Sequence, residues 1–179
     1  YANGTELRGK TLGIVGIGRI GQATAKMALG LGMKVIAADS FIDKVDAKVE
    51  FFDGQSITTT IVSQSLESLF KEADFISLHV PAQNGYIISK AELAIMKDGV
   101  GIVNCARGGV IDEIALIEAL DSGKVGFAGL DVFESEPKPE IKILMHPKIS
   151  LTPHIGAATG EAQDRIGTEL AQQIISILG

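Results

Sequence analysis

A single cysteine, no tryptophan and only five prolines stand in 179 residues. With Cys105 alone there is no disulfide framework and no cysteine-based zinc site, and a reducing, cytoplasmic setting is the default expectation. Basic clusters are missing as well. No group of five or more Lys/Arg occurs and the net charge is −6, which argues against a nucleic-acid-binding face. No run approaches the ~18 apolar residues that a membrane span requires. No metal site is expected. The first residue is Tyr1 rather than Met and no basic-then-apolar signal segment follows, so the expectation is one piece of a longer protein.

Glycine, by contrast, is in excess: 21 of 179 residues against a typical ~7%. No Gly-X-Y period and no low-complexity tract absorbs the surplus. The glycines sit singly or in pairs among apolar runs, as turn residues and close-approach residues do.

Those runs alternate with amphipathic stretches. Strands are predicted over 11–15, 34–38, 57–62, 75–79, 101–104, 126–130 and 149–152. Helices are predicted over 20–31, with Ile20, Ala23, Met27 and Leu31 at helical spacing, and over 66–72, 89–97, 112–122 and 159–178. Ser63 or Ser65 caps the second helix, and Asp112 and Gly123 bound the fourth. The last helix carries Ala162, Ile166, Leu170, Ile174 and Ile177 on one stripe, which reads as core or partner surface. Residues 41–62 and 132–148 are the least regular, and Pro137, Pro139 and Pro147 predict an extended loop in the second. Alternating strands and helices imply right-handed crossovers and a parallel sheet covered on both faces. The expected fold is therefore one doubly wound α/β domain over 1–179, in three αβα layers of the Rossmann type, with a linker-like first segment over 1–10.

Gly16-Ile17-Gly18-Arg19-Ile20-Gly21 follows the first strand and opens the first helix. Gly16 permits a tight turn, Gly18 lets backbone approach a pyrophosphate, and Gly21 lets the helix pack on the sheet. The helix N-terminus offers free amides to the anion. Asp39 ends the second strand, where a carboxylate accepts from a ribose diol and repels a 2′-phosphate, which predicts NAD over NADP. A methyltransferase with a similar glycine loop is the main competing reading.

Three later segments each follow a predicted strand: 104–109, 131–137 and 152–159. Open parallel sheets bind ligands at that edge, so Arg107, Glu136 and His154 would meet in one cleft. Arg107 suits a substrate carboxylate. His154 suits proton transfer near neutral pH, and Glu136 can fix its tautomer. Cys105 is read as a small buried hydrophobe rather than a nucleophile, His79 as a packing residue near the cofactor, and His146 as surface.

These residues resemble the NAD-binding domain of the D-isomer-specific 2-hydroxyacid dehydrogenases. The resemblance is carried by Gly16–Gly21, Asp39, the run from Ala73 to Pro81 and the three segments above, and covers nearly the whole chain. Within that family, 104–112 and 152–163 look most like the D-3-phosphoglycerate dehydrogenase branch. The resemblance implies that Arg107 binds substrate, that His154 is the acid/base and that Glu136 is its partner. It implies pyrophosphate contacts from Arg19 and Ile20 and a ribose contact from Asp39. It places His79, Val80, Pro81, Cys105 and Ala106 near the cofactor, gives Asp131 the nicotinamide carboxamide, and sets Gly156 and Ala157 at the same end. It further implies a 2-hydroxy or 2-oxo acid substrate, a homodimer, a role in serine synthesis, and a substrate domain outside this chain. Departures from the family pattern are Ala82–Tyr86, in place of a Thr-rich stretch, and Ser40, where proline often stands. Glycerate, glyoxylate, lactate or formate chemistry, or a non-catalytic NAD-sensing module, are the alternatives.

Overall fold

The computed structural model describes residues 4–178, so the linker-like segment over 1–10 lies partly outside the described residues. In chain order the elements are β1 (Thr11–Val15), α1 (Arg19–Gly30), β2 (Lys34–Ala38), β3 (Lys44–Glu50), β4 (Ser56–Val62), α2 (Leu66–Glu72) and β5 (Phe75–Leu78). They continue with α3 (Lys90–Ile95), β6 (Val100–Asn104), α4 (Glu113–Ser122), β7 (Val125–Leu130), α5 (Ile141–Leu144), β8 (Ile149–Leu151) and α6 (Gly160–Leu178). Six strands form one sheet in the order β2-β1-β5-β6-β7-β8, with every pairing parallel.

Strands buried on both faces need apolar residues throughout rather than alternation, and the runs in β1, β2, β5 and β6 supply them. On one face α2, α3 and α4 pack through Leu69, Phe70, Leu93, Leu116 and Leu120. On the other, α1 and the β3–β4 pair enclose Ile14, Ile17, Ala25, Ala37, Ala47 and Ile61. Caps end the helices where expected. Ser65 accepts from the Ser68 amide, Asp112 accepts from the Ala115 amide, and Gly123 takes a left-handed φ of 82°.

Three expectations fail. The strand expected at 57–62 is not in the parallel sheet. It pairs antiparallel with β3 as a separate two-stranded hairpin, and only Ser63 bridges to Ala37 of β2. The expected apolar face of α1 points outward: Ile20, Met27 and Leu31 are 70%, 64% and 56% exposed. The helix buries Gly21, Ala25 and Ala28 instead. Close approach decides this, because a Cβ on Gly21 would stand 2.1 Å from the Gly16 carbonyl oxygen, so only small residues fit against the sheet. The stripe on α6 is not core either, since no residue of that helix is buried.

The chain leaves β1 toward β2 on one side, and β5 enters on the other. This reversal of strand order opens a crevice at the C-terminal ends of β1 and β5. The two ends touch there, for a Cβ on Gly16 would lie 2.6 Å from the His79 carbonyl oxygen.

Candidate active site

A cavity of about 600 Å³ occupies that crevice, lined by Gly16, Gly18, Asp39, His79, Val80 and Pro81 among others. Gly16 has φ 90° and is held to the end of β2 through its amide and the Ala38 carbonyl. Gly18 caps α1, and nothing lies within 4 Å of where its Cβ would be. Among the described residues, the amides of Gly18, Arg19 and Ile20 find no acceptor. Free donors at the positive end of a helix, with open space before them, fit a pyrophosphate. The Arg19 side chain does not face this space. It is 86% exposed and pairs with Glu169 of α6 at 3.0 Å. Ile20 stands beside it at the helix start, exposed.

Asp39 sits at the lip of the same crevice and also builds it. One carboxylate oxygen accepts from the Ile17 amide at 2.8 Å, tying the glycine turn to β2. The other accepts from the amides of Phe41 and Ile42 at 2.8 and 3.1 Å. The His79 ring meets the Ser77 hydroxyl at 2.9 Å, and burial pulls its pKa below the ordinary value. This agrees with a packing residue rather than a proton carrier.

Further along the edge stand the loops after β6, β7 and β8. The first is shaped by Asn104, 3% exposed, whose side chain accepts from the Ala106 amide and donates to the Arg107 carbonyl. Ala106 is thereby buried, while Arg107 is exposed and its guanidinium donates to the Ala106 carbonyl. Cys105 is exposed, not buried as expected. The turn built on Asn104 tucks in Ala106 and leaves its neighbour on the outside. Partial desolvation, then the Asp131 charge, pushes the thiol up.

His154 and Glu136 come together as expected, with imidazole Nδ1 2.7 Å from a Glu136 oxygen. The other Glu136 oxygen accepts from the Phe133 amide at 3.0 Å. The His154 ring first, and this amide second, hold the Glu136 carboxyl below the ordinary range. Among the described residues Nε2 of His154 makes no hydrogen bond, on a side chain 48% exposed. His154 itself has φ 54°, a left-handed conformation uncommon for a residue with a side chain and characteristic of functional turns.

What holds that turn is Asp131, 2% exposed. Its carboxylate accepts from the Thr152 hydroxyl at 2.6 Å and from the Ile155 and Gly156 amides at 2.9 and 2.8 Å. Burial alone would raise its pKa, but these three donors and the His154 charge outweigh it and hold the carboxyl down. The fit at Gly156 is close, since a Cβ there would stand 3.0 Å from the same carboxylate, with Cys105 about 4.0 Å away. Ala157 follows, exposed. His146 is not surface. Its imidazole is 8% exposed, meets Asp121 at 3.3 Å and accepts from the Lys148 amide.

Sequence reasoning passed over the pairing of Glu113 with Glu134. Glu134 accepts from the Glu113 amide at 3.0 Å, and Glu113 accepts from the Glu134 amide at 2.8 Å. Lying 21 residues apart, they gave no local signal beyond an acidic residue at a helix start.

Comparison with known proteins shows the family. Residues 1–156 match the family described as D-isomer specific 2-hydroxyacid dehydrogenase, NAD binding domain. A hydroxypyruvate reductase of Thermotoga maritima is 51% identical, over 98% of this chain and 55% of that protein. A D-3-phosphoglycerate dehydrogenase of Methanocaldococcus jannaschii is 46% identical, over 98% of this chain and 32% of that protein. Among solved structures, a D-lactate dehydrogenase of Aquifex aeolicus in complex with NAD and lactic acid superposes with a TM-score of 0.75. It is 35% identical, over 97% of this chain and 55% of that one. The chain thus spans about half the length of the first relative and about a third of the second. Among the described residues, no helix is long and apolar enough to cross a membrane.

Proposed function

We propose, from the premise that this chain belongs to the D-isomer specific 2-hydroxyacid dehydrogenases as their NAD-binding domain, that it is the cofactor half of an enzyme oxidising 3-phosphoglycerate or reducing its 2-oxo counterpart. One observation carries the reading. The hydrogen-bonded His154 and Glu136 stand at the same sheet edge as Arg107, whose loop is the next along from the crevice that Gly16, Gly18 and Asp39 line.

Gly16, Gly18 and the amides that open α1 would hold the pyrophosphate, and Asp39 the adenosine ribose. Asp131 has one acceptor position beyond its three bonds for the carboxamide. When bound, NAD supplies the hydride acceptor. Arg107 holds the substrate carboxylate through two parallel N–H donors. His154 Nε2 takes the hydroxyl proton during oxidation and returns it during reduction. Glu136 keeps the proton on Nδ1, so that Nε2 is the free base, and stabilises the imidazolium that forms.

Arg107 is the one Lys or Arg on the segments 104–109, 131–137 and 152–159. A phosphate on the substrate would need cations from the substrate domain that we place outside these 179 residues. The second reading, reduction of hydroxypyruvate without a phosphate, is favoured by the higher identity to the hydroxypyruvate reductase. The exposed stripes on α1 and α6 offer surface for the expected homodimer. A panel of 3-phosphoglycerate, glycerate, lactate and glyoxylate on the full-length protein separates the substrates, and 3-phosphoglycerate is expected to give the highest kcat/KM. His154→Asn should lower kcat at least ~10²-fold, the low end for a lost acid/base, with NAD affinity unchanged. Full turnover by that variant would sink the assignment.

A further inference from the structure

We infer that Glu113 and Glu134 form a positioning clasp that keeps the Arg107 loop and the Glu136 loop in fixed relation, so that the carboxylate-binding group and the proton-transfer pair reach one substrate together. The inference rests on the dehydrogenase reading above.

The clasp is reciprocal: each glutamate carboxylate accepts from the other residue's amide, at 2.8 and 3.0 Å. Glu113 is the first residue of α4, directly after the cap Asp112. Through 108–112 it is continuous with Arg107. Glu134 stands two residues before Glu136. The loops also meet face to face, since a Cβ on Gly108 would lie 1.8 Å from the Phe133 carbonyl oxygen and 3.1 Å from the Glu134 nitrogen. A line of bonds therefore runs from the start of α4 through Glu113 and Glu134, along the backbone to Phe133, and by its amide to Glu136 and His154.

Glu113 is used by nothing else in the proposed chemistry, yet it is a carboxylic acid 7% exposed. Burial pushes its carboxyl above the ordinary range, and the bond from the Glu134 amide only partly offsets this. A buried carboxyl is costly unless it is hydrogen-bonded, and the Glu134 amide supplies that bond. The loop between β5 and α3 joins the same cluster. Ile87 and Ile88 donate to the Val110 carbonyl, and Tyr86 comes close enough to Glu134 for that charge to raise its hydroxyl pKa.

The test uses the full-length protein. Glu113→Ala should lower kcat on the order of 10²-fold, the effect of roughly an ångström's misplacement of reacting groups, with NAD affinity unchanged. Glu113→Gln keeps the accepting oxygen without the charge and should recover most of kcat. Glu134→Ala, at an exposed position, breaks the clasp from the other side and serves if Glu113→Ala does not fold. In the 179-residue chain, carboxyl ¹³C titration of Glu136 should move up toward the ordinary value in Glu134→Ala, as its bonds to His154 and Phe133 loosen. A fall in Tm with kcat and the Glu136 titration unchanged would overturn the inference. So would a Glu113→Gln variant as impaired as Glu113→Ala. If the unsubstituted protein oxidises no 2-hydroxy acid, the dehydrogenase reading fails instead, and the Glu136 titration still decides the clasp.

Discussion

Asp131 does the work of several residues at once, because one buried carboxylate saturates a hydroxyl and two amides of the segment that carries His154. Its carboxyl is held below the ordinary value, so the stabilisation it gives has a definite pH sense. The bonds are made by the charged form. They contribute fully above the unfolded-state pKa, near ~4, and are lost as pH falls through the lower folded value. Asp131→Asn keeps one accepting oxygen and should destabilise by about 1–3 kcal/mol at neutral pH. Urea unfolding from pH 7 downward should show that gap steady to about pH 4 and shrinking below it. A gap that grows on acidification would contradict this role. The residue was legible in the sequence as a site residue, but its expected partner was the cofactor. Only the fold reveals that its first task is to hold the turn of His154.

At the scale of elements, the approach of two loops is the feature most open to test. Gly108 has no room for a methyl group: the Phe133 carbonyl oxygen would be 1.8 Å away, and it belongs to backbone rather than to a flexible side chain. Gly108→Ala must push the loops apart, which should destabilise by about 1–3 kcal/mol, as overpacking does. In the full-length protein it should also lower kcat more than it raises the KM for NAD. An unchanged Tm in differential scanning calorimetry would show that the loops are not in contact.

Regular elements were legible because local signals agreed with the final packing. In β1, α1 and β2, the glycine turn and apolar runs all point to one arrangement. The failures have physical reasons. The β3 segment does alternate, with Val45, Ala47 and Val49 on one side, and Asp53-Gly54 marks its hairpin turn. That alternation is short and its outer positions are all charged, so 41–62 read as irregular. The face of α1 was misjudged because large apolar residues were taken as inward. The close helix–sheet contact at Gly21 admits only small ones. Helix α5, Ile141–Leu144, is too short to show a period among the surrounding prolines.

At the scale of the molecule, the two parts of the sheet edge differ in how far the chain encloses them. The dinucleotide crevice is walled by the chain's own β1, β2 and β5 ends. The Arg107–His154 side is open, with the His154 imidazole about half exposed. Water would reach the reacting atoms there and weaken every electrostatic interaction on which the proton transfer depends. Binding and turnover should therefore separate in this chain. By calorimetry it should bind NAD and prefer it to NADP, since the Asp39 carboxylate at the crevice lip repels a 2′-phosphate. With 3-phosphoglycerate and NAD it should produce little or no NADH, and the full-length protein should restore the rate. A preference for NADP would contradict the placing of Asp39. Dehydrogenase activity from the 179 residues alone, at the rate of the full-length protein, would mean that the open side needs no second domain and that the two-domain cleft is wrong.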